Sequence, residues 1–187
     1  MKRVFLVHGW GGSPEEAWFP WLKKELEKNG FSVNALEMPN TENPKMDEWI
    51  PFLKKQVGKC DENTYFIGHS IGCQTIMRYL EKLPENAKAG GAIFVAGWFG
   101  LKGLDSDERK IAKPWLETSI DFNKILGHTK KFAAIFSDDD RFVPMEDSKI
   151  FKEKLKAKII VESKKGHFDE VKKVPSALKA VLDISKK

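Results

Sequence analysis

The sequence predicts an α/β protein: a three-layer α/β/α sandwich built on a mainly parallel sheet of about six strands. Short apolar runs, typical of strands buried on both faces, alternate along the chain with stretches whose apolar residues have helical spacing. Alternating strands and helices form right-handed βαβ units, and such units make a parallel sheet covered on both faces. With 187 residues the chain is expected to form one domain.

The first part of the chain predicts two strands and a divided helical region. The strands are residues 4–7, a continuous apolar run, and residues 32–37, which alternate weakly. Ser13-Pro14-Glu15-Glu16 has the cap residue, the first-position proline and the third-position glutamate of a capping box, so a helix is expected to begin there. Pro20 would interrupt that helix, and a second piece is expected over residues 21–28.

A five-residue stretch, Gly68-His69-Ser70-Ile71-Gly72, follows a predicted strand at residues 64–67. The helix predicted after it carries an apolar stripe that ends before Pro84 and consists of Ile76, Met77, Leu80 and Leu83. Gly-x-Ser-x-Gly between a strand and a helix is typical of a nucleophile elbow. The turn would strain the backbone of Ser70 and expose its hydroxyl at the helix N-terminus, where free N–H groups favour a developing negative charge. Glycines are required because a side chain would collide with the neighbouring strand or helix.

The remaining elements follow the same alternation. Strands are predicted at residues 92–96, 132–136 and 159–161. Helices are predicted from Asp47, as the cap, to about residue 57, and at residues 146–155 and 171–184.

The interval 98–130 is longer than an ordinary crossover between strands and is rich in aromatic residues. Two interpretations remain open. The aromatic side chains pack a crossover helix onto the sheet, or the segment is a partial lid and the wall of an acyl pocket. The candidate pocket residues are Trp98, Phe99 and Trp115.

Several residues that could take part in catalysis or binding follow strands of the predicted sheet. Ligands of such sheets bind beyond the carboxyl ends of the strands, and the loops after the first, third, fifth and sixth strands open on that edge. These loops carry His8-Gly9-Trp10-Gly11, Ser70, Asp140 and His167. We therefore expect the functional site at this edge.

The chain resembles the compact serine hydrolases of the α/β-hydrolase superfamily, the family that includes retinoblastoma-binding protein 9 and the bacterial YdeN-like proteins. The resemblance covers nearly the whole chain and rests on Val7-His8-Gly9-Trp10-Gly11-Gly12-Ser13-Pro14, Trp18-Phe19-Pro20-Trp21-Leu22, Gly68-His69-Ser70-Ile71-Gly72, Ser137-Asp138-Asp139-Asp140-Arg141-Phe142-Val143-Pro144 and Gly166-His167-Phe168. It implies a reduced α/β-hydrolase fold and the hydrolysis of carboxylic esters through an acyl-enzyme. Arg141 is a departure, since relatives often have proline after the acid, and it is expected to alter the loop and not the chemistry.

The resemblance also implies roles for individual residues. Ser70 would be the nucleophile, His167 the general base, and an aspartate the group that orients the imidazole. The family pattern favours Asp140 for the last role, with Asp139 as the alternative, because neighbours on an extended loop point in opposite directions. The oxyanion hole would use two backbone N–H groups, those of Trp10 and Ile71.

The other histidines and the cysteines are expected to have structural and not catalytic roles. His8 and His69 are expected to make local hydrogen bonds, and His128 is expected to be exposed. Cys73 is expected to pack within its helix. Cys60 and Cys73 have no metal-ligand spacing and make no disulfide framework, which favours a cytoplasmic protein.

Composition argues against several other classes of protein. The net charge of +5 comes from lysines scattered among acidic residues, which is typical of a solvated surface and not of a nucleic-acid site. The apolar run after Met1-Lys2-Arg3 is too short for a signal peptide, and no segment is long enough to span a membrane. No metal or cofactor is implied, the expected partner is a small-molecule ester, and a protein partner is neither indicated nor excluded.

Two alternatives belong to other functional classes. Gly9-x-Gly11-Gly12 and Glu37 faintly resemble a dinucleotide-binding fingerprint, but the third glycine is missing. A non-catalytic interaction module on a hydrolase scaffold is the second, because a fold does not determine a function.

Overall fold

The predicted strands pair into one parallel sheet in the computed structural model of the protein, which describes residues 1–186. The strands, in chain order, are β1 (Arg3–Val7), β2 (Ser32–Leu36), β3 (Thr64–His69), β4 (Gly91–Val95), β5 (Phe132–Ser137) and β6 (Lys158–Glu162). Their order across the sheet is β2-β1-β3-β4-β5-β6, and every neighbouring pair is parallel. The prediction of a parallel α/β sheet is confirmed.

The helices cover both faces of this sheet. Within residues 1–186 they are α1 (Phe19–Lys28), α2 (Met46–Val57), α3 (Ile71–Glu81), α4 (Ser106–Glu117), α5 (Phe122–His128), α6 (Asp147–Leu155) and α7 (Pro175–Ile184). None of these helices is both long enough and apolar enough to cross a lipid bilayer.

Burial follows the position of each strand in the sheet. The inner strands β3, β4 and β5 are buried at every residue, and their sequences are nearly continuous apolar runs. The edge strand β6 is partly exposed, with Val161 the most exposed of its apolar side chains. Burial of their apolar side chains therefore stabilises the central strands, and the candidate site is built on these strands.

The strand order reverses between β1 and β3, and this reversal positions the site. From β1 the chain passes to β2 on one side, and then returns to place β3 on the other side of β1. Loops that leave neighbouring strands in opposite directions open a crevice at the carboxyl edge of the sheet. The loop that begins at His8 and the turn at Ser70 lie at this crevice.

Three predicted helix starts are wrong. Asp47 is not the cap of α2, because the helix begins at Met46 with Lys45 at the N-cap and Asp47 in the first turn. No helix begins after Ser13: its hydroxyl accepts a hydrogen bond from the Glu15 N–H (3.3 Å), and Ala17 has φ +50°. A residue at positive φ does not fit a right-handed helix, so α1 begins only at Phe19 with Pro20 in its first turn. The last helix begins at Pro175 and not at residue 171, because the residue before a proline is held out of the helical conformation.

The long interval between β4 and β5 contains two helices. Asp105 and Glu108 form a reciprocal capping box that starts α4, and the Asp121 side chain caps α5. Sequence periodicity did not separate these two elements from one long crossover.

Candidate active site

The turn between β3 and α3 has the strained backbone that its sequence predicts. Ser70 has φ +51° and ψ −119°, a region that residues with side chains rarely adopt. A Cβ at Gly68 would lie 2.7 Å from the Cys73 nitrogen, and one at Gly72 would overlap the carbonyl oxygen of Val7. Both glycines are therefore required, and the turn places the Ser70 side chain at the N-terminus of α3.

The Ser70 hydroxyl lies in the cavity but is not hydrogen-bonded to His167 in the described part of the chain. The Trp98 indole Nε1–H donates to Ser70 Oγ at 3.3 Å. Trp98 is fixed in turn by Gln74, whose amide nitrogen donates to the Trp98 carbonyl. The buried Asp147 carboxylate accepts the N–H groups of the next residues, Phe99 (2.6 Å) and Gly100 (2.9 Å).

The His167 ring is paired with Asp140 on the neighbouring loop. His167 Nδ1 lies 2.8 Å from Asp140 Oδ2, and both side chains are largely buried. The other Asp140 oxygen accepts the N–H groups of Phe142 (2.8 Å) and Val143 (3.0 Å). Burial alone would raise the pKa of Asp140, but the His167 hydrogen bond and charge, together with these two N–H groups, lower the pKa overall. The ionised carboxylate keeps the proton on Nδ1 and leaves Nε2 available as a base.

The two preceding aspartates hold the backbone of the same loop. Asp138 Oδ1 accepts the Lys164 N–H (2.9 Å), and Asp139 Oδ1 accepts the Gly166 N–H (2.8 Å). The Lys164 N–H lowers the pKa of Asp138, and the Ser137 hydroxyl together with the Gly166 N–H lowers the pKa of Asp139. No local pattern in the sequence indicates this function of the two carboxylates. Asp139, the alternative partner for the imidazole, accepts a backbone hydrogen bond instead.

Two residues that line the cavity have backbone N–H groups without an acceptor in residues 1–186. The Gly11 N–H is taken by the Thr41 carbonyl (2.9 Å) and the Gly12 N–H by the Gly9 carbonyl (3.2 Å). Within residues 1–186 the N–H groups of Trp10 and Ile71 have no protein acceptor, and both residues line the cavity. These are the two donors that the sequence resemblance implied for an oxyanion hole.

The orientation of the Gly9–Trp10 peptide is set by His8. The Met38 N–H donates to His8 Nε2 (3.1 Å), so the ring proton is on Nδ1, which donates to the Gly9 carbonyl (2.8 Å). Because a trans peptide points its C=O and N–H in opposite directions, this bond helps to fix the direction of the Trp10 N–H. Burial lowers the pKa of His8, which favours the neutral ring that this arrangement needs.

The cavity over Ser70 has a volume of about 430 Å³. Its floor and walls are mainly apolar and include Phe19, Ile71, Trp98, Leu101, Leu104 and Phe142. Charged side chains at its mouth are Glu16, Glu42, Glu108, Arg141 and Asp169. Arg141 is the residue that departs from the family pattern. Its Nη2 lies 3.6 Å from Asp169 Oδ2, and its guanidinium lies over the Phe142 ring.

Of the three aromatic residues predicted as a pocket wall, only Trp98 lines this cavity. The Phe99 ring packs instead against the rings of Phe122 and Phe151, at centroid distances of 5.6 and 4.9 Å. Trp115 is buried and its indole donates to the Pro44 carbonyl (3.0 Å), because α4 packs on the loop before α2. Phe99 and Trp115 thus match the first interpretation of the interval, aromatic packing in a crossover.

Two of the other histidines differ from expectation. His69 does not make a local bond: its Nε2 lies 2.6 Å from the carbonyl oxygen of His167, 98 positions along the chain. His128 is buried and not exposed, and its Nδ1 lies 2.9 Å from the Ala87 carbonyl. No local pattern in the sequence indicates either contact. Cys73 is buried, as expected, and burial raises the pKa of its thiol.

The fold is a reduced α/β-hydrolase fold. The sequence profile of the family described as "Serine hydrolase" matches residues 4–176. The chain therefore belongs to the serine hydrolase family.

Individual relatives agree with this assignment. YdeN of Bacillus subtilis (strain 168) is 36% identical over 169 residues, covering 90% of this chain and 87% of YdeN. The serine hydrolase RBBP9 of Rattus norvegicus is 30% identical over 172 residues, covering 89% and 87% of the two chains. The crystal structure of the B. subtilis ydeN gene product superimposes with a TM-score of 0.91 at 32% identity over the full length of both chains. Est1E from Butyrivibrio proteoclasticus shares the fold, with a TM-score of 0.73 at 16% identity over 100% of this chain and 89% of its own.

Replacing Gly72 by alanine should destabilise the protein by about 3 kcal/mol or more, or prevent folding, because the added methyl group meets backbone atoms that cannot move aside. Gly127→Ala in α5 is the matched control, since a Cβ there meets no atom within 4 Å. The control should be neutral or up to about 1 kcal/mol more stable. Urea unfolding measures both values, and equal stabilities of the two variants would contradict the account.

The buried His69 should make the folded protein sensitive to acid. Burial and the charge of His167 lower the pKa of His69 to about 3, so the folded protein does not bind the proton that the unfolded chain takes up near pH 6.5. The free energy of unfolding should therefore fall as the pH decreases below about 6.5, with His69 contributing up to about 1.4 kcal/mol per pH unit. His69→Gln should flatten this dependence in urea unfolding between pH 7 and 5, and an unchanged slope would contradict the assignment.

Proposed function

We propose that the protein hydrolyses carboxylic esters through a Ser70–His167–Asp140 triad and an acyl-enzyme intermediate. The observation that carries the proposal is the 2.8 Å contact between Asp140 and the His167 ring, beside the cavity that holds the Ser70 hydroxyl. The membership of the chain in the serine hydrolase family supports it. Ester bonds are the simplest substrates for an accessible apolar cavity with two free backbone donors.

The reaction proceeds in two halves. Ser70 Oγ attacks the ester carbonyl carbon while His167 Nε2 removes the hydroxyl proton, and the N–H groups of Trp10 and Ile71 bind the resulting oxyanion. Collapse of this intermediate breaks the bond to the alcohol, which leaves with the proton from His167. Water, deprotonated by His167, then attacks the Ser70 ester, and the acid is released with regeneration of the Ser70 hydroxyl.

The contact between Ser70 and Trp98 represents a resting position of the nucleophile. In the absence of substrate, catalytic hydrogen bonds are often long or unformed, and they tighten when a substrate is bound. The mechanism requires a rotation about the Cα–Cβ bond of Ser70 that moves the hydroxyl from the indole of Trp98 towards the imidazole of His167.

Ser70→Ala should abolish hydrolysis of p-nitrophenyl esters and covalent labelling by a fluorophosphonate probe, because the hydroxyl is the proposed nucleophile. Ser13→Ala is the matched control, since Ser13 lines the same cavity but its hydroxyl accepts the Glu15 N–H and does not lie at the N-terminus of a helix. The control should retain both activities within about threefold. A folded wild-type protein that neither hydrolyses a graded series of acyl esters nor reacts with the probe would instead favour a non-catalytic interaction module.

Charge at the cavity mouth should select among substrates. Glu16, Glu42 and Glu108 add negative charge there, while Arg141 is paired with Asp169. An ester whose acyl chain ends in a trimethylammonium group should have a kcat/KM about tenfold higher at low salt than the same chain ending in a carboxylate. Because these side chains face water, the difference should shrink in 0.5 M salt, at a Debye length of roughly 4 Å.

The matched variant for this prediction is Glu42→Gln, which removes one charge beside Gly11 without changing the size of the side chain. Glu42→Gln should reduce the ratio of the kcat/KM values for the two substrates, whereas Glu153→Gln on the exposed face of α6 should leave this ratio unchanged. Equal kcat/KM values for the two substrates at low salt would contradict the charge argument without affecting the triad.

A further inference from the structure

His69, the residue before Ser70, contacts the backbone of the histidine loop directly. Its Nε2 lies 2.6 Å from the carbonyl oxygen of His167. Because a carbonyl oxygen only accepts hydrogen bonds, the His69 ring carries its proton on Nε2 and donates it. The two imidazole rings also pack against each other, with centroids 5.0 Å apart, and the Trp18 ring packs edge-on with the His69 ring at 6.0 Å.

The loop that carries His167 needs such an anchor. The flanking residues Gly166 and Phe168 both have positive φ, +55° and +61°, so the chain is sharply bent around residue 167. The Asp139 carboxylate holds the Gly166 N–H, and the Lys165 carbonyl holds the Phe168 N–H. Within residues 1–186, the bond from His69 is the one hydrogen bond to the backbone of residue 167 itself.

This bond also joins the two parts of the site that must meet. Ser70 and His167 are not hydrogen-bonded to each other in the described chain, so their separation is set by the backbone that carries them. His69 is covalently adjacent to Ser70, and its ring donates to His167. A single side chain therefore connects the turn of the serine to the loop of the imidazole.

We propose that His69 is a positioning residue, which holds the backbone of His167 at the distance from Ser70 that proton transfer requires. The inference rests on the proposed function of these two residues. Small displacements of a catalytic group have large effects: a shift of about 1 Å can reduce turnover about a hundredfold. A positioning role predicts a loss in kcat with little change in KM, because the binding surface of the cavity stays intact.

The experiment compares variants that keep or remove the donor at this position. His69→Gln retains an amide N–H at about the reach of Nε2, whereas His69→Asn is too short and His69→Phe fills the space without a donor. For a p-nitrophenyl ester we expect kcat to fall about tenfold to a hundredfold in His69→Phe and His69→Asn, with KM within about twofold of the wild-type value. His69→Gln should recover most of the lost kcat.

His128→Phe is the matched control for the loss of a buried histidine. His128 is also buried and also bonded through a ring nitrogen to a backbone carbonyl, that of Ala87, but it lies outside the cavity. This variant should lose stability and keep its kcat. A comparable loss of kcat in His128→Phe, an undiminished kcat in both His69→Phe and His69→Asn, or equal damage in His69→Gln and His69→Asn would overturn the proposal. If His69→Phe does not fold, the Gln and Asn variants decide the question.

Amide hydrogen exchange separates this inference from the proposed function. In His69→Asn, the amides of residues 163–168 should exchange about tenfold faster than in the wild-type protein, whether or not the protein hydrolyses esters. Unchanged exchange would overturn the role of His69. Faster exchange, combined with hydrolysis that survives in Ser70→Ala, would support the anchor and reject the triad.

Discussion

The close approach of β1 to the first turn of α3 is the constraint on which the site depends. Gly72 brings the helix backbone against the Val7 and His8 carbonyls, so there is no room for any side chain at that position. This contact makes the loop after β1 and the turn after β3 neighbours. As a consequence, Trp10, Ser70 and Ile71 line the same cavity.

The imidazole reaches this cavity from further away, and its path explains the run of three aspartates. Strand β6 is separated from β3 by two other strands, so the loop after β6 must fold back across the edge of the sheet. Asp138 and Asp139 bind the backbone of that loop, and Asp140 binds the ring of His167. Three neighbouring carboxylates thus fix both the course of the loop and the orientation of its imidazole.

The sequence predicted what depends on local pattern and missed what depends on distant contacts. The strands follow from apolar runs, and the glycines at 68 and 72 follow from the steric demands of a sharp turn. The helix expected at Ser13 is absent because Ala17 adopts a positive φ, which a capping pattern cannot reveal. The bond of His69 joins residues 98 positions apart, and the directions in which Phe99 and Trp115 pack are set by tertiary contacts. The backbone conformation of Ala17 and these long-range contacts can be seen only in the folded chain.

The central claim is that Ser70 becomes covalently acylated during turnover, and mass spectrometry tests it most directly. The protein would be mixed with p-nitrophenyl butyrate, quenched in acid at short times, and digested to locate any adduct. The account predicts a butyryl group on the peptide that contains Ser70, which appears with the first release of p-nitrophenol and disappears once the ester is exhausted. Steady hydrolysis with no adduct at any time, or with the adduct on another residue, would contradict it.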